Sequence, residues 1–377
     1  MANAKPLAGI KVVELARILA GPWAGQLLAD LGAEVLKVEH PATGDDTRHW
    51  GPPFVEGPDG KPLDAAYFHS TNRGKRSIAI DLTSPGGQAR ICDMVREADV
   101  VIENFKVGSL KKYGLDHESL AELNPRIVVC SITGFGQNGP YAHRAGYDFI
   151  IQGMGGFMSL TGEPDGPPQK AGIAYADIFT GVYAVVGILA ALRRRERTGR
   201  GGHVDMALLD TQIAVLANQA LNWMTSQQVP HRMGNGHANL APYQAFAASD
   251  GDLIIAVGND AQFAKLCRVL DLPLDTDARF ATNPARVVHR AELIPLLEQA
   301  IRSWRKADLA WRLEETGVPA GPINRLDEAF DDPQVRHRGM RLEIGGLPGV
   351  ASPIVIDGER MVADLPPPAR PGNPPPA

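Results

Sequence analysis

The sequence predicts an α/β protein with a parallel β-sheet in its first half and a smaller α+β domain after it. Two observations carry this prediction. Short apolar segments alternate with helical segments from residue 10 to residue 207, which is the pattern of βαβ units. After about residue 225 this alternation stops, and a hairpin signal precedes three helical segments. Parallel sheets carry helices on both faces, so the first-half strands are expected to be buried.

The elements of the first half are delimited by local signals. Pro22 suits the first turn of a helix, and Gly32 is placed to end it. The predicted strands are residues 10–15, 33–39, 77–82, 100–103, 126–133 and 203–207, and the predicted helices are 22–31, 85–97 and 209–224. The apolar run 178–192 is shorter than the roughly 20 residues that cross a bilayer, so it is predicted to be a buried core helix.

The second half begins with a polar loop region, residues 224–242. Strands are predicted at 243–248 and 253–257 around an Ser-Asp-Gly-Asp turn, followed by helices at 261–271, 290–304 and 307–315. From residue 347 onward the sequence is loop-like, and its Pro-rich end is expected to be extended and poorly ordered. The predicted domains are 1–224, 225–330, and a linker and C-terminal segment, 331–377, that returns toward the large domain.

Composition excludes several functional classes. The 377 residues include 38 Lys and Arg against 43 Asp and Glu, a net charge of −5, whereas a nucleic-acid-binding protein needs a strong positive field. Cys92, Cys130 and Cys267 are too scattered for a disulfide scaffold or a thiolate zinc site, and no metal site is predicted. The first residues lack the apolar stretch of a signal peptide. We expect a soluble, cytoplasmic protein with no nucleic-acid or membrane partner.

Asp177 stands where a loop meets the long apolar segment, and two interpretations of it stay open. An Asp at this place commonly caps a helix by accepting hydrogen bonds from its first free N–H groups. The positive end of the helix dipole would also keep the carboxylate ionised, which suits a nucleophile that needs no general base.

Gly134 and Gly136 follow the predicted strand 126–133, at the edge where ligands bind in open α/β sheets. Tyr147 and Asp148 come shortly after them. If the pair has no functional role, Tyr147 is a core aromatic and Asp148 is a turn or cap residue.

A basic segment, residues 72–77, places three cations ahead of a strand. It is either an exposed turn or an anion pocket for phosphates, since Arg binds such groups through two parallel hydrogen bonds. His40, Lys111 and Lys112 would add to this pocket if the sheet brings the strand ends together.

Together these segments resemble the class III CoA-transferase family, which includes formyl-CoA:oxalate, carnitine and succinyl-CoA:glutarate CoA-transferases and α-methylacyl-CoA racemases. The matching motifs run in family order from about residue 6 to about residue 357. They are residues 13–17 (VELAR), 20–22 (AGP), 31–39 (LGAEVLKVE), 44–48 (GDDTR), 72–78 (NRGKRSI), 101–105 (VIENF), 131–136 (SITGFG), 144–148 (RAGYD) and 176–177 (AD). Within the family, the GDDTR segment most resembles the succinyl-CoA:glutarate members.

The resemblance implies a Rossmann-like large domain and an interlocked homodimer. It also implies that the chain moves CoA from an acyl-CoA, with succinyl-CoA as the expected donor, to a carboxylic or dicarboxylic acid. CoA is then a substrate, and no tightly bound cofactor is implied. Asp177 matches the family's nucleophile, Asp148 an acidic position near it, and Tyr147 a neighbouring aromatic. The backbone amides of Gly134 and Gly136 are candidate donors to the developing oxyanion.

The resemblance also implies contacts to CoA. The residues that match or lie near such positions are Arg17, His40, Arg73, Lys75, Arg76, Asn104 and Lys112. A distal carboxylate of the substrate could be held by Arg17, Arg48 or Arg73.

Two departures from the family bear on function. The racemase branch carries His where this chain has Tyr147, and a phenol with its ordinary pKa near 10 exchanges protons poorly at neutral pH. An α-methylacyl-CoA racemase is therefore an alternative, as is a non-catalytic CoA-binding protein. The Pro-rich C-terminus replaces the family's usual closing segment.

Overall fold

The computed structural model describes residues 5–57 and 59–371. Contacts within it define a first unit, in residues 1–157, 170–217 and 333–377, and a second unit, in residues 158–169 and 218–332. The segment 158–169, predicted to belong to the large domain, groups with the second unit because it bonds to the loop that precedes the hairpin. There the Gly234 N–H donates to the Gly162 carbonyl at 3.0 Å.

The elements of the chain, in order, are as follows. Up to residue 133 they are β1 (Lys11–Glu14), α1 (Ala20–Asp30), β2 (Glu34–Glu39), β3 (Phe54–Glu56), β4 (Pro62–Ala65), α2 (Ala66–His69), β5 (Lys75–Ala79), α3 (Pro85–Glu97), β6 (Val100–Glu103), α4 (His117–Leu123) and β7 (Val128–Thr133). Then come α5 (Asp148–Met154), α6 (Phe157–Leu160), α7 (Tyr175–Thr198), β8 (Gly202–Ala207), α8 (Leu208–Ala214) and α9 (Ala217–Ser226).

The remaining elements begin with the predicted hairpin. They are β9 (Tyr243–Ala248), β10 (Gly251–Ala256), α10 (Asp260–Leu270), α11 (Asn283–Val288), α12 (Arg290–Ile301), α13 (Lys306–Thr316), β11 (Ala320–Pro322), α14 (Leu326–Asp331), α15 (Pro333–His337), β12 (Arg341–Ile344), β13 (Leu347–Val350), β14 (Val355–Ile356) and β15 (Glu359–Arg360).

Six strands of the first unit form one parallel sheet in the order β5-β2-β1-β6-β7-β8. Counted by appearance in the chain this is 3-2-1-4-5-6, the strand order of the Rossmann fold. The predicted α/β fold with a parallel sheet is confirmed. The strand order reverses between β1 and β6, so the crevice at the carboxyl ends of these two strands is where the fold binds ligands.

Both faces of the sheet are buried under helices. Successive residues of β1 point to opposite faces, so Val12 joins the core beneath α1 and α7, while Val13 joins the core beneath α3 and α4. This explains why the strands read as continuous apolar runs and not as alternating ones.

Helix α7 packs as the central helix of the first unit. It is the one helix among residues 5–57 and 59–371 that is long and apolar enough to cross a bilayer by composition alone. It contacts α1, α5 and α8, and Ala176, Ala184 and Ile188 are fully buried in the core. The predicted apolar segment thus lies in a helix with one face in the core, whereas Val182, Tyr183 and Val186 are exposed.

The predicted single helix 209–224 is wrong. The structure has two helices there, α8 and α9, and Ala217, the first residue of α9, takes a φ of 45°. A right-handed helix does not continue through a residue in the left-handed region.

The second unit forms its own core around an antiparallel sheet. Strands β9 and β10 pair as a hairpin across residues 249–250, as predicted, and β11 adds to β10. Phe246, Leu253, Phe263 and Leu297 are buried between this sheet and the helices.

The expectation of a loop-like segment from residue 347 onward is wrong for the short strands β13, β14 and β15, whereas residues 361–371 contain no helix or strand, as expected. Strand β13 pairs with β12, and residues 362–370 bind along the first unit. The Gly74 N–H donates to the Leu365 carbonyl at 2.9 Å, and the Arg370 Nε donates to Asp64 at 2.9 Å. Residues 372–377, the end of the predicted poorly ordered tail, lie outside the described residues.

Buried ion pairs join the strands to α1. Glu14 of β1 accepts hydrogen bonds from Lys37 of β2 and Lys75 of β5, each at 3.0 Å. Asp30, at the end of α1, accepts from the Arg73 guanidinium at 3.0 and 2.6 Å, and from the Ala363 N–H at 2.9 Å. Asp30 is fully buried, and of these two partners Arg73 is the one whose charge compensates that of the carboxylate.

The substitution Asp30→Ala is expected to destabilise the protein by about 3–5 kcal/mol, because it leaves a buried guanidinium without its counter-charge. Chemical unfolding of the full chain measures this as a lowered midpoint. The control Asp93→Ala removes an exposed pair with Arg96 and should change stability by roughly 0.5 kcal/mol or less. Equal shifts in the two variants would contradict a structural role for the Asp30–Arg73 pair.

Candidate functional site

A cavity of about 370 Å³ opens at the carboxyl ends of β1, β6 and β7, in the predicted crevice of the sheet. Four chain segments line it: residues 17–20 after β1, 104–107 after β6, 132–134 at the end of β7, and 144–147 before α5. Ala142, Asp177 and Leu208 complete its wall. Among the sequence-predicted site residues, the cavity brings together Arg17, Asn104, Gly134, Tyr147 and Asp177.

Asp177 lies in the first turn of α7, and its side chain does not cap the helix. The capping residue, Ala174, makes no side-chain hydrogen bond. Instead the Asp148 Oδ1 accepts from the Ala176 N–H at 2.8 Å and from the Asp177 N–H at 3.3 Å. The N-cap interpretation of Asp177 is therefore wrong, and the residue lines the wall of the cavity.

The electrostatics of Asp177 differ from the expectation that the helix dipole keeps it ionised. Burial and the neighbouring Asp148 carboxylate raise the pKa of Asp177 to about 7. The first N–H groups of α7 donate to Asp148, so the stabilisation that a helix N-terminus offers goes to that residue. Asp177 is therefore poised to change its charge near neutral pH.

Two glycines let Asp148 reach α7. A Cβ added to Gly134 would lie 2.6 Å from the Cα of Gly146, so the two backbones are in direct contact. This contact fixes the segment from Gly146 to Asp148 against the end of β7. Tyr147 in this segment is 58% exposed and lines the cavity, so it is not the core aromatic of the alternative interpretation.

The structure does not support the prediction that the Gly136 backbone amide donates to the oxyanion. Its N–H donates to the Thr133 hydroxyl at 3.0 Å, and it does not line the cavity. Its backbone amide is therefore used in closing the turn after β7, whereas Gly134 remains at the cavity wall.

The turn after β1 is held from two sides. Asn104 accepts from the Arg17 N–H at 2.9 Å and donates to the Arg17 carbonyl at 2.7 Å. The Ile18 N–H donates to both Asp45 oxygens at 3.3 Å, and Ile18 takes a φ of 72°, which is unfavourable for a β-branched residue. Asp45 is itself held by the buried Lys37 ammonium at 2.9 Å. The Asp45–Lys37 pair, which sequence reasoning missed, thus shapes one wall of the cavity.

The remaining predicted CoA contacts divide into two groups. His40 and Lys112 are exposed, outside the cavity, and His40 follows β2 at the same edge of the sheet. Arg73 and Lys75 are buried in ion pairs with Asp30 and Glu14, so the structure contradicts their assignment as ligand contacts.

Arg76 is also misassigned. It stands at the amino-terminal end of β5 and lines a separate cavity of about 540 Å³ with the first residues of β1 and β2. Because the strands are parallel, this is the sheet edge opposite to Asp177. Arg48, one candidate for a distal carboxylate, is fully buried between Glu39 and Asp64 and is excluded, as is Arg73.

Three further side chains at the site were not singled out by sequence reasoning. Burial and the charges of Asp177, Asp148 and Asp45 raise the pKa of Tyr67 to about 12, which keeps its phenol protonated beside the carboxylates. Lys106 and Arg144 line the cavity. Arg144 belongs to the motif at residues 144–148, but the sequence alone does not show that its side chain lies at the cavity.

No group of three or more His, Cys, Asp or Glu residues within the described ranges is arranged to hold a metal ion.

Comparisons with known proteins place the chain in one family. A sequence model of CoA-transferase family III matches residues 7–372. The chain is 56% identical over 375 residues to a succinate–glutarate CoA-transferase of Agrobacterium fabrum, covering 98% of this chain and 94% of that enzyme. It is 42% identical over 369 residues to a succinyl-CoA:glutarate CoA-transferase of Mus musculus, covering 97% and 83%. A crystal structure of a CAIB/BAIF family protein from Brucella suis superposes with a TM-score of 0.86 at 57% identity, covering 97% of this chain and 96% of that one. The chain belongs to CoA-transferase family III.

Proposed function

We propose that this protein transfers CoA from succinyl-CoA to glutarate or a related dicarboxylic acid, with Asp177 as the nucleophile. The observation that carries the proposal is the free carboxylate of Asp177 at the cavity of the Rossmann crevice, with Asp148 capping α7 in its place. The printed activities of the similar enzymes of Agrobacterium fabrum and Mus musculus support the choice of substrates.

In the proposed reaction, Asp177 attacks the thioester carbonyl of the donor and expels CoA thiolate, which leaves a mixed anhydride between the aspartyl and acyl groups. The thiolate then attacks the aspartyl carbonyl, releases the donor acid as a carboxylate and forms an aspartyl-CoA thioester. The acceptor carboxylate reverses these two steps, so that a new acyl-CoA leaves and Asp177 is regenerated. Every step exchanges one activated acyl bond for another, so no further energy source enters.

The surroundings of Asp177 support this chemistry. The Gly134 backbone lines the cavity beside Asp177 and is the proposed donor to the developing oxyanion. Arg17 and Asn104 at the cavity, with His40 and Lys112 outside it, are the proposed contacts to CoA. CoA acts here as a substrate that enters and leaves, and no tightly bound cofactor is proposed.

The racemase alternative needs a second acid or base to face Asp177 across the α-carbon. Tyr147 stands at the position where that branch has His, and both side-chain oxygens of Asp148 already accept hydrogen bonds, from the first N–H groups of α7 and from Gln152. Incubation of 2-methylacyl-CoA in D₂O without an acceptor acid distinguishes the two functions, because only a racemase exchanges the α-proton. A non-catalytic CoA-binding protein would bind CoA and turn over neither substrate.

We also propose a homodimer, as the family resemblance implies. Helix α7 exposes Val182, Tyr183 and Val186, and because Val186 comes four residues after Val182 and three after Tyr183, they lie on one side of the helix. A second copy of the chain would cover this apolar surface. Light scattering at micromolar concentration is expected to give twice the chain mass, and Val186→Glu should shift it toward the monomer. A wild-type monomer would contradict the proposal.

The substitution Asp177→Ala is expected to lower transfer from succinyl-CoA to glutarate at least about a thousand-fold, because it removes the attacking oxygen. Mass spectrometry of the acyl-CoA products measures the loss. Hydroxylamine should modify Asp177 in the wild-type protein only when an acyl-CoA is present. The control Asp210→Ala removes an exposed acid from the first turn of α8 and should leave activity near that of wild type. Transfer that survives in Asp177→Ala would end the nucleophile assignment.

The pH dependence of the reaction should follow the ionisation of Asp177. The attacking form is the carboxylate, so kcat/KM for the donor is expected to rise with pH, with a tenfold gain per pH unit below about 7 and a plateau above. In Asp148→Asn the like charge is gone and the amide oxygen can still accept from α7, so the rising limb should move to lower pH. A wild-type limb near pH 4, or one that Asp148→Asn leaves in place, would contradict this electrostatic coupling.

A further inference from the structure

Three cationic side chains line the Asp177 cavity: Arg17, Lys106 and Arg144. They differ in whether an acidic side chain already pairs with them. The Arg17 guanidinium pairs with Asp46 at 2.9 Å. Within residues 5–57 and 59–371, Lys106 and Arg144 have no ion-pair partner. The cavity that holds the nucleophile therefore also holds positive charge without a counter-ion from the chain.

Arg144 is positioned by aromatic rings. Its guanidinium lies over the Tyr141 ring, 4.6 Å from the centroid, and over the Phe135 ring, 5.3 Å from the centroid. The two rings pack edge to face at 5.6 Å, and the backbone N–H of Arg144 donates to the Tyr141 carbonyl at 2.8 Å. Stacking holds the plane of a guanidinium while its N–H edge stays free to donate. The side chain is thus oriented before any ligand arrives, which lowers the entropy lost on binding.

The proposed substrates carry a charge that the reaction does not consume. Succinyl-CoA and glutarate each have a carboxylate at the end remote from the reacting carbonyl, and burying it in a cavity needs a cationic partner. A guanidinium binds a carboxylate through two parallel hydrogen bonds, whereas the Lys106 ammonium is a point charge. Arg48 and Arg73 are buried in ion pairs of the core, and Arg17, a proposed contact to CoA, is already paired with Asp46.

We propose that Arg144 binds the distal carboxylate of the acyl group and so makes the enzyme selective for dicarboxylic acids. This assignment rests on the proposed function, since it names the residue that recognises the substrates of the same cavity. It gives the RAGYD segment two roles: Arg144 contacts the substrate, and Asp148 positions Asp177.

The test uses binding to the inactive Asp177→Ala protein, which leaves acyl-CoA intact. Succinyl-CoA and butyryl-CoA have four-carbon acyl groups and differ in the distal carboxylate. Asp177→Ala is expected to bind succinyl-CoA at least about tenfold more tightly, the size of effect that a charge-assisted hydrogen-bonded pair supplies. Adding Arg144→Gln should abolish this preference and leave the affinity for butyryl-CoA and free CoA unchanged. Arg144→Lys should restore part of it. Titration calorimetry measures all these affinities.

Lys106→Gln in the same background is the matched control, because it removes one positive charge from the same cavity. It should retain the preference for succinyl-CoA. The proposal is overturned if Arg144→Gln keeps the preference, if it weakens succinyl-CoA, butyryl-CoA and free CoA equally, or if Lys106→Gln abolishes the preference as fully. Equal weakening would mean that Arg144 contacts the CoA phosphates. A failure of the proposed function is seen separately, as a wild-type protein that transfers no CoA.

Discussion

The hydrogen bonds from the first turn of α7 to Asp148 determine how the rest of the site works. A helix N-terminus has free N–H groups that must be satisfied, and an acidic residue in the first turn commonly serves them. Here Asp148, from a separate helix, accepts those hydrogen bonds, so the Asp177 side chain does not have to accept them. The arrangement depends in turn on the contact between Gly134 and Gly146, since a side chain at either position would push the Asp148 segment away from α7.

A second constraint comes from the buried charges beneath the crevice. Glu14, Lys37 and Lys75 are fully or almost fully buried, so their ion pairs set the positions of β1, β2 and β5 relative to one another. Lys37 also contacts Asp45, which holds the Ile18 N–H in the turn that lines the cavity. Burial tends to lower the pKa of Lys37, but the surrounding carboxylates Glu14, Asp45 and Glu39 raise it overall, so the lysine stays charged. The core charges and the shape of the cavity are thus one connected network.

Sequence reasoning predicted the fold well where local patterns determine it. The strand–helix alternation, the stop at Gly32 and the hairpin around residues 249–250 all depend on neighbours in the chain, and the structure has each of them. The basic segment 72–77 shows the limit. The linear sequence does not show which acidic residues pair with these cations. In the folded protein Arg73 pairs with Asp30 and Lys75 pairs with Glu14, because the sheet and α1 bring them together. The described part of the Pro-rich end was misjudged for the same reason, because its bonds go to residues about 300 positions away.

Asp177, the proposed nucleophile, shows a balance that no motif reveals. Removing Asp177 from water and placing it beside Asp148 disfavours its ionised form, so near neutral pH a substantial share of the protein carries the protonated, unreactive acid. The same effect makes the remaining carboxylate more basic than an ordinary aspartate, and basicity increases the strength of an attacking oxygen. A nucleophile whose pKa lies near the working pH combines both factors, since lower values weaken the attack and higher values reduce the reactive fraction. Asp148 therefore acts on Asp177 twice, by taking the helix cap and by setting the pH at which the freed carboxylate can react.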